Sequence, residues 1–108
     1  DLGRVQALLA PWPDVHCHAG LFPASASGLA LELQFKLVHL DLDLHRSTLD
    51  ALRFFAGRLV PGGVIVVHDY NNRSVPGTRA AVDEFLAAHP GWRGLELWDS
   101  QVLLQQIG

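Results

Sequence analysis

Apolar positions change their period several times along this chain, and the changes mark out its elements. Leu2, Val5, Leu8 and Leu9 recur at helical spacing up to Pro11 and Pro13, which predicts the last turns of a helix entered from upstream. From Val15 to Ala19 the period shortens to two, with Val15, Cys17 and Ala19 on one face and His16 and His18 on the other; this reads as a short strand ended by Gly20. The Ala-, Ser- and Leu-rich segment from Pro23 to Leu33 reads as a short irregular helix weakened by Gly28. Phe35 to Leu40 is apolar apart from Lys36 and His39, the pattern of a central strand covered on both faces.

The period then returns to that of a helix. Ser47 suits an N-cap with Asp50 three residues on, and Leu49, Leu52, Phe55 and Leu59 form the stripe to be buried. Pro61-Gly62-Gly63 reads as the turn that stops this helix, because proline cannot continue it and glycine accepts positive φ. Val64 to Val67 is a second buried strand. Pro76 starts another helix whose apolar face is Val82, Phe85 and Leu86, whose polar side carries Arg79, Asp83 and Glu84, and which Pro90-Gly91 ends. Leu95, Leu97 and then Val102 to Ile107 form two closing strands joined by a turn at Asp99-Ser100. Strands alternating with helices predict an α/β fold: a mostly parallel sheet with right-handed crossovers, helices on both faces and an antiparallel last strand.

Composition narrows this picture. With 108 residues, 49% of them hydrophobic, the chain has material for one core and reads as a single domain, 1–108. A net charge of -3 with scattered basic residues excludes the cationic stripe that nucleic acid demands. The single Cys17 allows no internal disulfide, and no apolar run reaches the ~20 residues of a membrane span, so the expected setting is cytoplasmic with no membrane partner. There is no Met at all, which points to a processed chain or a piece of a longer one.

The chemistry gathers where apolar runs stop abruptly in acids. One strand runs into Asp41 and Asp43, the other into His68, Asp69 and Tyr70. In open α/β sheets such ends present functional groups to ligands, so neighbouring strands would bring Asp41 and Asp69 to one rim, where they can share a cation. Carboxylates suit Mg2+, and an adjacent imidazole tilts the choice toward Mn2+. Asp41, Asp69 and His68 are therefore the candidate metal ligands. His68 can equally serve as a general base or an orienter of the acid, and His45 can act similarly at the other strand end. Asp43 points with Asp41 if the strand continues and becomes a cap or a supporting group if the chain turns first. His39 reads as a hydrogen-bonded core residue and His89 as a cation at a helix C-terminus. The polar loop Tyr70, Asn71, Asn72, Arg73, Ser74 would lie over the site, and its first three residues are the candidate substrate contacts. Phosphate-binding glycine loops and a G-x-S-x-G elbow are absent from the sequence, so phosphate-loop and serine-nucleophile chemistry have no candidate.

Together, LVHLDLDLHRSTLDALRFFAGRLVPGGVIVVHDYNN and the following VPGTRAAVDEFLAAHPGW resemble the C-terminal half of the macrocin O-methyltransferase family, most strongly from Leu37 to Trp92. The resemblance implies a Rossmann-like methyltransferase sheet, S-adenosylmethionine as cofactor, a divalent ion on the acids matching Asp41 and Asp69, and methylation of a small-molecule hydroxyl such as that of a sugar. Asp41, with His68, would be catalytic, helping to deprotonate that hydroxyl. Gly20, Leu21 and Phe22 would supply part of the wall around the cofactor's adenine. His68 stands where the family often has a second acid, and His45 where it commonly has a tyrosine after D-x-D. The resemblance further implies that the glycine-rich cofactor loop lies upstream of residue 1, that the isolated chain is inactive, and that the Phe35 to Leu40 strand lacks a neighbour, so that the chain is either a fragment of a larger enzyme or self-associates through that edge. Two other readings remain open on the residues alone: a nucleotide-sugar glycosyltransferase, whose D-x-D also binds Mn2+, and a non-catalytic interaction module.

Overall fold

The structure, a computed structural model, describes residues 2–12, 14–15 and 33–108. The strand expected at Val15 to Ala19, the short helix from Pro23, and Gly20, Leu21 and Phe22 lie almost entirely outside the described residues. Seven elements are described, namely α1 (Leu2–Leu9), β1 (Phe35–Leu40), α2 (His45–Ala56), β2 (Leu59–Val67), α3 (Pro76–Ala88), β3 (Trp92–Leu97) and β4 (Gln101–Gln106). None of these helices is long and apolar enough to cross a membrane.

The four strands form one sheet in the order β1-β2-β4-β3. β1 and β2 pair in parallel, and β4 inserts between β2 and β3, antiparallel to both. The α/β fold with an antiparallel last strand is thus the one observed, but the sheet is mixed, with only β1 and β2 paired in parallel, and α2 and α3 both pack on the core face, so the helices expected on both faces are not found among the described residues. Its core follows from the period of two. Val38 and Leu40 stand beside Ile65 and Val67, which stand beside Leu104 and Val102, and all six are buried. Leu49, Ala51 and Leu52 of α2 and Ala81, Val82 and Phe85 of α3 complete the same core.

Four expectations differ from the structure. β1 alternates instead of being covered on both faces: Leu37 is 62% exposed, and His39 is exposed and bonded to Gln101 (Nε2 to Oε1, 3.3 Å) instead of lying in the core. An apolar run of six cannot reveal that one of its faces is left open. Helix α2 begins at His45, capped by Leu44 without a side-chain bond, so Ser47 falls inside the first turn and makes no cap. Pro61-Gly62-Gly63 does not stop that helix, which ends at Ala56. It forms an irregularity inside β2, where Phe35 pairs with Leu59 but Leu37 already pairs with Val64. Gly62, at φ 82°, supplies the positive φ that this excursion needs. By contrast α3 starts with Pro76 in its first turn, as expected, and the turn between β3 and β4 places both Asp99 and Ser100 at positive φ.

Candidate metal centre

Pairing of β1 with β2 runs out at Leu40 and Val67, and the His68 amide then donates to the Leu40 carbonyl at 2.9 Å. Both chains therefore leave the sheet at one rim, carrying Asp41 from β1 and His68 with Asp69 from β2. Each then bends sharply, since Asp43 and Asp69 have φ of 65° and 66°. Aspartate tolerates this region better than most residues, and unusual backbone of this kind clusters at functional sites.

The bends bring the side chains together. His68 Nδ1 lies 2.9 Å from Asp69 Oδ2 and 3.6 Å from Asp41 Oδ1. One ligand-capable atom from each of the three lies within 4.8 Å of the others. Their exposure is graded: the Asp41 side chain is 56% exposed, His68 35% and Asp69 18%, so the cluster opens to solvent on the Asp41 side. Asn72 Nδ2 donates to Asp69 Oδ1 at 3.1 Å and fixes that carboxylate from behind.

Electrostatics follow from the crowding. Asp69 is held below its ordinary range chiefly by the Asn72 hydrogen bond, with His68 helping against partial desolvation. His68 is raised above its ordinary value, first by the Asp69 carboxylate, against desolvation. Asp43 is raised by desolvation and then by the charges of Asp41 and Asp69, with a carboxyl-to-carboxyl contact to Asp69. It thus joins the cluster as a supporting acid after the chain has turned.

Two carboxylates and an imidazole at this spacing make a donor set for a divalent cation. The state of His68 Nδ1 agrees: it is out of contact with water and, although close to Asp69, has no well-aligned hydrogen bond. A metal ion would satisfy that orphaned nitrogen. Asp41, His68 and Asp69, the ligands proposed from sequence, are therefore brought together. His45 is not: its Nε2 lies 3.1 Å from Glu84 Oε1, tying α2 to α3. His89 caps α3, its Nδ1 bonded to the Phe85 carbonyl at 2.8 Å.

The loop after Asp69 is bonded to α3. Tyr70 is nearly buried, and its hydroxyl donates to Asp83 Oδ1 at 2.6 Å. Burial and that carboxylate push the phenol up to about 12, so Tyr70 is a neutral donor and not a base. Arg79 lies over the Tyr70 ring, 4.6 Å from its centroid, and donates to Asn71 Oδ1 at 2.5 Å. Asn71 Nδ2 in turn donates to Glu96 at 2.8 Å. Tyr70, Asn71 and Asn72 all line a cleft of about 550 Å3, which Arg73, Pro76, Arg79, Ala80 and Asp83 complete. The part played by Arg79 and Asp83 escaped the sequence reading, although their spacing of four on a polar helix face, next to a polar loop, was its visible sign.

Comparison with known proteins agrees with this architecture. The O-methyltransferase NovP has a similar structure, with a TM-score of 0.80 at 21% identity over 98% of this chain and 45% of that one. CalS11, a TDP-rhamnose 3'-O-methyltransferase of calicheamicin biosynthesis in its apo form, gives a TM-score of 0.53 at 21% identity over 96% and 37%. At such identities the likeness is one of fold, and the chain spans less than half the length of either protein. No curated protein sequence gives a significant match. The family model for macrocin-O-methyltransferase (TylF), however, matches residues 8–100, covering both strand ends, the loop between them and α3, and the chain accordingly belongs to that family.

Proposed function

We propose that these residues form the metal- and acceptor-binding part of an S-adenosylmethionine-dependent O-methyltransferase that acts on a hydroxyl of a sugar or another polar small molecule. The observation that carries this reading is the convergence of Asp41, His68 and Asp69 at the shared rim of β1 and β2. Membership of the macrocin-O-methyltransferase family supports the methyl-transfer chemistry, and the TDP-rhamnose acceptor named for CalS11 supports a sugar.

S-adenosylmethionine would supply the methyl group as a sulfonium electrophile. Asp41, His68 and Asp69 would hold Mg2+ or Mn2+, whose charge lowers the proton affinity of an acceptor hydroxyl. The chain's own groups have separable tasks. Asp41, the most exposed of the three, would accept the hydroxyl proton. Asp69, the least exposed and fixed by Asn72, would anchor the cation. Tyr70, Asn71 and Asn72 face the cleft where the acceptor would lie, and their fixed geometry favours orientation over adaptation.

Calorimetric titration with Mg2+ and Mn2+ tests this. Saturable binding is expected, lost in Asp69→Asn and weakened about tenfold in Asn72→Ala, since removing the group that orients a ligand costs roughly that much affinity. Absence of binding, or binding that survives Asp69→Asn unchanged, would overturn the reading.

A further inference from the structure

The cleft beside the acid cluster carries charge of the opposite sign. Two guanidinium groups, Arg73 and Arg79, line it together with one carboxylate, Asp83. That carboxylate is already engaged: Oδ1 takes the Tyr70 hydroxyl and Oδ2 lies 3.6 Å from Arg79 Nε. Arg73 is exposed and makes no ion pair or hydrogen bond among the described residues. The wall thus has a net positive charge in a chain whose overall charge is -3. Arg79 is also held in place, stacked on the Tyr70 ring with Nη1 bonded to Asn71 and Nε facing Asp83, so its remaining guanidinium N–H groups are presented without the usual loss of side-chain freedom. At about 550 Å3 the cleft is within the range of small-molecule sites, roughly 300 to 1,000 Å3.

Position adds the decisive point. Asn72 lines the cleft and also holds Asp69, so the two features share a wall. A ligand reaching from one to the other meets an acid cluster at one end and arginines at the other. An uncharged acceptor would leave the arginines unused, whereas an anionic one is gripped at two points and fixed in direction. We propose that this cleft is an oxyanion subsite, in which Arg73 and Arg79 bind a phosphate or carboxylate group of the acceptor while its hydroxyl lies at the Asp41–His68–Asp69 cluster. The inference rests on the proposed function for the second half of that statement only. The planar guanidinium fork, which pairs with two oxygens at once, gives the preference for these groups.

The test uses the chain in metal-free buffer, followed by NMR, with pyrophosphate and glucuronate as anionic probes and methyl glucoside as the neutral one. Shifts confined to residues 70–83 are expected with the anions and not with the neutral sugar. Stronger binding of pyrophosphate assigns the group as phosphate, and stronger binding of glucuronate as carboxylate. Arg73→Gln, which removes no contact within the described fold, should weaken binding about tenfold, and Arg79→Lys, which keeps the charge but loses the fork, should weaken it as well. No anion binding, equal binding of methyl glucoside, or affinity unchanged in both variants would overturn the subsite. Titration of the same samples with Mg2+ reads the acid cluster separately. Anion binding without Mg2+ binding would remove the proposed metal-dependent function and leave the subsite standing, while Mg2+ binding without anion binding would do the reverse.

Discussion

At the scale of single residues, the site is governed by how three side chains share charge. His68 is raised above its ordinary 6.5 because the Asp69 carboxylate faces it, and Asp69 is lowered below its ordinary 3.8 because Asn72 bonds to it and His68 lies against it. In the metal-free chain the His68 contribution to stability is therefore full below pH 6.5 and is lost as pH rises through the raised value. The Asp69 contribution is present above pH 3.8 and is lost as pH falls through the lowered value. Metal binding runs against the first of these, because a cation must displace the imidazole proton. Mn2+ affinity should thus climb as pH passes through the raised His68 value and level off above it, whereas in His68→Gln the slope above pH 6.5 should disappear. A flat profile in the parent chain would show that His68 is not a ligand. These ligands were legible in the sequence because each ends an apolar run. The environment of His39 was not, since nothing in FKLVHL says which of its faces is left open.

At the scale of elements, the contact of α2 with α3 depends on a close approach of backbone. A Cβ on Gly77, in the first turn of α3, would stand 2.6 Å from the His45 amide nitrogen and 3.3 Å from its Cα. Neither atom belongs to a side chain that could swing away, so Gly77→Ala must push the helices apart, at a cost of about 1–3 kcal/mol. Gly57 is the internal control: it has open space around its missing Cβ and an ordinary φ of -86°, so Gly57→Ala should be neutral or stabilising by up to ~1 kcal/mol. Urea denaturation midpoints separate the two, and equal midpoints would contradict the proposed crowding. The helices themselves were readable from their periodicity and from Pro76. Their starts and stops were harder, because Ser47 has the chemistry of a cap but the chain has already turned at Asp43, and because Pro61-Gly62-Gly63 serves as an irregularity in a strand as readily as it ends a helix.

At the scale of the molecule, the sheet has an open edge and an open face among the described residues. β1 pairs only with β2, and Leu37 and Leu95 remain 62% and 63% exposed on the face away from the buried core. A strand edge with unpaired backbone groups and apolar neighbours is a template for pairing with another chain. Light scattering should therefore show a mass that rises with concentration, and Leu37→Lys, which places a charge on that strand, should lower it. A monomer at every concentration would count against self-association through β1. The sheet was legible at this scale because buried strands, helical stripes and a closing hairpin follow one another along the chain. What could not be read was the traffic across it: Asn71 reaching Glu96, Arg79 covering Tyr70, and His45 meeting Glu84 join residues far apart in sequence through side chains that carry no periodic signal.

The proposed function requires that the ends of β1 and β2 together build one divalent-cation site. Anomalous diffraction from crystals grown with Mn2+ tests it most directly. A single strong peak bounded by Asp41, His68 and Asp69 is expected, absent in Asp69→Asn. A peak elsewhere, or none at this rim with Mn2+ in excess, would contradict it.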